Sequence, residues 1–203
     1  MAKNKPAQDT FTLCAELLGS MSNMFDARDQ YTENHSQRIM QMAINICETM
    51  NVPRDSISAI ALAAMVHDIG NIGIPVAILN KNAQLTSDEW KIVCEHPNIG
   101  ADLVEKFAGL DDIAEIVRHH HERWNGLGYP ARLKENQIPF GARVLSLCES
   151  VDAMLSYRPY RKNMLVTEAK ADIQKNAGVM YDPSIAKVLL DNWEAIISPI
   201  KFI

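Results

Sequence analysis

Six histidines are set among carboxylates in this 203-residue chain: His35, His67, His96 and the run His119, His120 and His121. A single histidine in a helix ordinarily makes one hydrogen bond in a core or on a surface, so none of the six is informative alone. His67 and Asp68 differ because they close the most apolar stretch of the chain, Ala59 to Val66, where a carboxylate without a partner is costly to bury. A cation is a natural partner there. Neighbouring helix positions project about 100° apart, so the pair can grip one ion while the second oxygen of Asp68 reaches another. His96 precedes Pro97 in an apolar segment, and the triple histidine precedes Glu122 on a helix entering the loop Asn125 to Pro130. Each has a plainer account as well: histidines suit the negative end of a helix, and His96 can cap a kink before proline. Taken together, imidazole and carboxylate donors without a thiolate suit manganese, iron or zinc used as Lewis acid and water activator, more than a structural zinc site.

The elements that must position these residues are helices. Apolar residues recur at helical spacing, and almost no segment alternates as a strand would, so the fold class predicted is all-α, a single helical bundle. Phe11, Leu13, Leu17, Leu18, Met21 and Met24 give an amphipathic helix from Thr10 to about Arg28, packing on the rest. A second helix runs from Tyr31 to Met50 with Ile39, Met42, Ala43, Ile46 and Cys47 on one face, closed by Asn51 and Pro53. The third, about Asp55 to Ile69, is apolar nearly all round and is expected at the centre of the bundle. Thr86 to Glu89 carries the signal of a capped helix start, and further helices are expected at Asp111–Glu122, Pro139–Leu155, Thr167–Ala177 and Pro183–Trp193. No repeat and no Ser/Gly-rich linker marks a second domain.

Composition narrows the classes. With 47% hydrophobic and 22% charged residues the chain can bury a real core, and the apolar run Ala59–Val66 is far short of the roughly 20 residues that span a bilayer. Glu16 interrupts the stretch where a secretion signal would need an apolar segment, so a cytoplasmic location is expected. Cys14, Cys47, Cys94 and Cys148 are widely spaced and read as reduced, buried thiols. A net charge of −5 argues against general nucleic-acid binding. Between Arg118 and Lys162, however, eight basic residues face four acidic ones, a local excess that on composition alone merely solvates a helix end.

The chain resembles the HD-GYP family, the branch of the HD phosphohydrolases that acts on cyclic dinucleotides. The matching residues are His67-Asp-Ile-Gly-Asn-Ile-Gly-Ile-Pro75, His96-Pro-Asn-Ile-Gly100, His120-His-Glu-Arg-Trp-Asn-Gly-Leu-Gly-Tyr-Pro130, Ile138-Pro139 and Arg158-Pro-Tyr-Arg161. They keep the family's order and spacing from about His35 to Arg161. The resemblance implies an HD-type bundle with extra helices over residues 31–203, with residues 1–30 as an N-terminal helical segment. It implies two divalent metal ions, one held by His35, His67, Asp68 and Glu149, the other by Asp68, His96, His120 and His121. His119 falls outside that pattern and reads as a neighbour. Iron or manganese is the first expectation, with zinc, nickel and magnesium admissible. His67 and Asp68 are the expected catalytic residues. Asn71, Gly128, Tyr129, Pro130, Arg158 and Arg161 are the expected substrate-binding residues, the two arginines as bidentate clamps on a phosphodiester.

Three positions depart from the pattern. Asn71 stands where the family has lysine, removing a positive charge from the substrate site. Glu149 replaces aspartate, lengthening a ligand by one methylene. Tyr31 stands where members with three metals carry glutamate, so two metals are expected. The implied reaction is hydrolysis of cyclic di-GMP to pGpG or GMP by a hydroxide bridging the metals, with cyclic GMP-AMP as the next substrate. The alternatives are a cyclic-dinucleotide receptor with weak or no turnover, a signalling adaptor that keeps the metal site only for folding, and a hydrolase of ordinary nucleotides. The last leaves the Gly-Tyr-Pro loop and Arg158–Arg161 unexplained. A homodimer or a signalling-protein partner is admissible.

Overall fold

A computed structural model describes residues 20, 34–81, 83–156 and 163–202. The helices are α1 (His35–Thr49), α2 (Arg54–Val66), α3 (Val76–Leu79), α4 (Ser87–Val93), α5 (His96–Val104), α6 (Asp111–His119), α7 (Phe140–Leu155), α8 (Val166–Asn176), α9 (Pro183–Asp191) and α10 (Trp193–Ile196). Short 3₁₀ turns lie at Ile69–Gly73 and Glu135–Gln137. Among the described residues there is no strand, only an isolated bridge between Ala177 and Tyr181, so the fold is all-α as expected. The helix expected at Thr10–Arg28, and with it Tyr31, Arg158 and Arg161, lies outside the described residues.

The stripe of α1 is buried as its spacing requires: Ile39, Met42, Ala43, Ile46 and Cys47 have no exposed surface. Each of the larger side chains contributes about 1.5–3 kcal/mol on transfer from water. α1 packs on α2 and α7, α2 also packs on α6, and α5 packs on α6 and the Ile69–Gly73 turn. α2 packs on α1, α6 and α7, in keeping with a place inside the bundle, although its start at Arg54–Ser56 is exposed. α7 is buried along more of its length, with Ala142, Val144, Leu145, Leu147, Cys148 and Val151 wholly buried. Arg54–Gly73 has the length and mean hydropathy, 1.2, of a membrane span. Its α-helical part nevertheless ends at Val66, and it lies in the bundle.

Three helix ends differ from the sequence expectation in a way that matters for the site. α2 stops at Val66, not Ile69, so His67 and Asp68 sit in the turn that follows it. α6 stops at His119, not Glu122, leaving His120 and His121 in a turn. α5 begins at His96, with Pro97 in the first turn where a missing N–H costs nothing, so His96 opens a helix and does not cap a kink. Thr86 forms the expected capping box: its hydroxyl accepts from Glu89 N–H at 3.2 Å and Glu89 Oε2 accepts from Thr86 N–H at 2.7 Å. Gly70 matters for close approach, not for flexibility. A Cβ there would lie 1.9 Å from the His96 carbonyl oxygen, so only glycine lets the turn after Asp68 rest against the start of α5.

The cysteine expectation holds for two of the three described thiols. Cys47 and Cys148 are buried and Cys94 is half-buried. Burial pushes the Cys47 thiol up to about 11 and raises Cys148 well above its ordinary value, so both are poor nucleophiles. Iodoacetamide at pH 8 is expected to alkylate Cys94 at least tenfold faster than either, read by peptide mass mapping; equal rates would mean the core opens on that timescale.

Candidate metal centre

The turn after α2, the start of α5, the turn after α6 and the middle of α7 meet at one point. Two groups of donors result. His35, His67, Asp68 and Glu149 form one, and Asp68, His96, His120 and His121 form the other; within each, one ligand atom per residue lies within 4.8 Å of all the rest. Asp68 belongs to both. His119 belongs to neither: it is buried, with Nε2 3.6 Å from Glu115 and Nδ1 3.7 Å from Glu122.

Backbone geometry fixes which nitrogen each ring offers. Nδ1 of His67 lies 2.8 Å from the Ala64 carbonyl, Nδ1 of His96 2.8 Å from that of Val93, and Nδ1 of His120 2.6 Å from that of Val117. A carbonyl only accepts, so each Nδ1 carries the hydrogen and Nε2 is the nitrogen turned to the centre. On His67, burial is outweighed by Asp68 and Glu149, which raise the ring well above the ordinary imidazole value, so that nitrogen calls for a proton or a cation. His35 is held from the other side, its Nδ1 donating to Asp152 Oδ2 at 2.7 Å. Asp152 also accepts from Arg38 and from Ser156 Oγ at 3.1 Å. This carboxylate–histidine pairing is the usual support behind a metal-binding imidazole.

The ligand atoms face one another in a way that calls for positive charge. His96 Nε2 and His120 Nε2 are 3.4 Å apart, while the Nδ1 of each ring is committed to a backbone carbonyl. His67 Nε2 is buried without a hydrogen-bond partner although Asp68 Oδ2 and Glu149 Oε1 are 3.2 and 3.1 Å away. Desolvation by burial, with neighbouring His121, holds His120 well below its ordinary pKa, and burial with neighbouring His96 brings His121 to about 3. Both rings are therefore neutral donors. Burial raises the carboxyl of Asp68 in isolation, but the charge and hydrogen bond of neighbouring His67 outweigh it and hold the group well below the usual carboxylate range. Neutral imidazoles, ionised carboxylates and an orphaned buried nitrogen fit divalent cations of the intermediate type.

The Gly-Tyr-Pro segment is not a plain turn. A Cβ on Gly128 would lie 2.4 Å from Arg123 N and 2.6 Å from the His121 carbonyl oxygen, so glycine allows the loop to lie on the backbone that carries the ligands. Tyr129 N–H donates to that carbonyl at 3.3 Å, and the Tyr129 ring covers the His121 ring at 4.8 Å and 30°. Pro130 follows through a cis peptide bond. Ala131 N–H then donates to the buried Glu122 at 2.7 Å, tying the far side of the loop to the turn after α6. Asn71 is half-buried on the 3₁₀ turn, its N–H donating to the Asp68 carbonyl at 2.9 Å.

Sequence reasoning passed over Asp152, Glu122 and Trp90. The signal for Asp152 was present, since it is a carboxylate one turn after Glu149 in an otherwise apolar helix. The local basic excess is smaller than it looked: Arg118 pairs with Asp102 at 3.0 Å and Glu105 at 2.7 Å, and Arg143 pairs with Asp182.

A family model described as "HD domain" matches residues 19–185. Among curated relatives, a cyclic di-GMP phosphodiesterase of Thermotoga maritima is 35% identical over 92% of this chain and 52% of its own length. A 3'3'-cGAMP-specific phosphodiesterase of Vibrio cholerae is 28% identical over 90% of this chain and 35% of its own. The chain thus spans about half or less of these relatives. A solved structure of a cyclic GMP-AMP-specific phosphodiesterase of Vibrio cholerae superposes with a TM-score of 0.70 over 89% of this chain and 48% of that one, at 18% identity, which shows a shared fold.

Proposed function

Because the chain belongs to the HD-domain family, in its HD-GYP branch, we propose that it is a metal-dependent phosphodiesterase that hydrolyses cyclic di-GMP to linear pGpG and/or GMP. The observation that carries this reading is the pair of four-donor groups sharing Asp68, each built of imidazoles and carboxylates. His35, His67, Asp68 and Glu149 would hold one divalent cation, and Asp68, His96, His120 and His121 the second, iron and manganese being the metals that suit the donors best. Bound there, such ions supply Lewis-acid stabilisation of the phosphoryl oxygens and lower the pKa of water.

The chain's own residues do the rest. The three carbonyl-anchored rings stay in one tautomer through the reaction, because their Nδ1 hydrogens are already committed. In the overall step a water oxygen bonds to phosphorus, the P–O3′ bond breaks, and the leaving oxygen takes up a proton. His121 differs from those rings: its Nδ1 faces Glu149 Oε2 at 3.6 Å and its side chain is 28% exposed, which makes it the most solvent-accessible imidazole of the two donor groups. Asn71 and Tyr129 border the same group, with Arg158 and Arg161 proposed as further phosphate contacts.

The test is to load the protein with manganese or iron(II), add cyclic di-GMP or cyclic GMP-AMP, and separate products. Intact dinucleotide with every metal overturns the reading, and preference for cyclic GMP-AMP would change only the base assignment. Asn71 provides a second handle. Restoring charge with Asn71→Lys is expected to raise kcat/KM about three- to tenfold, since charge-assisted hydrogen bonds are worth about 1 kcal/mol more than neutral ones. An unchanged value would place residue 71 away from the phosphate.

A further inference from the structure

We infer that Trp90 is the stacking platform for a nucleobase of the substrate, an inference that rests on the phosphodiesterase reading and extends it to a residue outside the ligand groups. A row of aromatic rings leads out of the metal centre. His96 lies 5.0 Å from His121, His121 lies 4.8 Å from Tyr129 under a 30° tilt, and Tyr129 meets the Trp90 indole edge-to-face at 6.0 Å and 79°. The row ends at an indole that is 50% exposed.

Trp90 is held there deliberately. A seven-residue helix has little stability of its own, and α4 buries none of its residues. It is fixed instead at its start, by the Thr86 capping box and by Lys81 Nζ, which donates to both oxygens of Glu89 at 2.8 and 2.6 Å. Both devices act on the residue immediately before Trp90. Edge-to-face packing against Tyr129 fixes the plane of the indole while leaving half of its surface to solvent, and an indole face stacks any purine. A phosphodiester seated on the donor groups carries its base one ribose away. Two ring-to-ring steps, of 4.8 and 6.0 Å, separate His121 from Trp90, so the base of such a nucleotide comes within reach of the indole. The two purines of a cyclic dinucleotide make this contact a means of separating it from small phosphate esters.

The test compares Trp90→Leu, which keeps apolar packing against Tyr129 but has no ring, with Trp90→Phe, which keeps a ring. KM for cyclic di-GMP is expected to rise about tenfold to hundredfold in Trp90→Leu with kcat within about twofold, and to recover most of the way in Trp90→Phe. The loss on cyclic di-GMP should exceed the loss on bis(p-nitrophenyl) phosphate at least tenfold. An unchanged KM overturns the platform. So does a fall in kcat alone, or an equal loss on both substrates, which would make Trp90 a support for Tyr129 only. If the wild-type chain cleaves no cyclic dinucleotide, the phosphodiesterase reading fails separately. The platform then stands if cyclic di-GMP quenches indole emission in wild type but not in Trp90→Phe, and falls if the two proteins respond alike.

Discussion

An Asp68→Ala chain is expected to lose bound metal and phosphodiester hydrolysis together, the rate falling by about a thousandfold or more. The reason is topological: Asp68 is the one residue present in both donor groups, so its removal takes a charged ligand from each. Lewis-acid stabilisation of a phosphoryl group is worth several kcal/mol, and each 1.36 kcal/mol is a tenfold change in rate. Asp68 also tops the turn pressed against α5 through Gly70, but its side chain is 28% exposed, so alanine there should leave the fold intact. Elemental analysis of metal per chain, circular dichroism and the turnover assay check the three parts. A folded Asp68→Ala protein with full metal content and activity would show that the shared carboxylate has no role in the centre.

Asp152→Ala is the second large effect, and it falls first on stability. Asp152 is 1% exposed and accepts from His35 on α1 and from the buried Arg38, four side-chain bonds when Ser156 is included. Taking the carboxylate from a buried guanidinium ordinarily costs about 3–5 kcal/mol. The pH dependence has a definite sign. Burial alone would raise the Asp152 carboxyl, but the His35 and Arg38 hydrogen bonds overcome it and bring the pKa to about 2, below the unfolded value of about 3.9. Its contribution, roughly 2.5 kcal/mol, is therefore fully present above pH about 4 and lost as pH falls through about 2. Denaturant melts of wild type and Asp152→Ala should differ most above pH 4 and converge in stronger acid. With His35 no longer oriented, metal affinity in the remaining folded protein should drop about tenfold to a hundredfold. Identical melts would mean the α1–α7 pairing is held by packing alone.

Much of this site was legible before any coordinates. His67 and Asp68 at the end of an apolar helix, and three histidines ahead of a Gly-rich loop, announce a cation site by composition and place. The grouping of His35 and Glu149 with them rested on resemblance, since nothing local links residues 35 and 149. What could not be read were the helix ends. Apolar spacing carries α2 on to Ile69, whereas nothing apolar follows Val117 to mark where α6 stops before Glu122, so in neither does the pattern show where the backbone turns. It turns there because Gly70 and Gly128 permit main-chain contacts that another residue would block. Asp152 showed in the sequence as a carboxylate one turn after Glu149, but its role did not, since the partners that justify burying it, His35 and Arg38, lie on a helix more than a hundred positions upstream.

The anchoring of His67, His96 and His120 to carbonyls three positions upstream has a thermodynamic corollary. Each imidazole borrows its orientation from the hydrogen-bonding surplus at a helix terminus, so unravelling any of those termini frees the ring and weakens chelation at once. In the proposed metal-bound protein, chelation and helix-end integrity are thereby two faces of one equilibrium. Saturating ion should protect the amides around Ala64, Val93 and Val117 from exchange with deuterium more than amides elsewhere in the bundle.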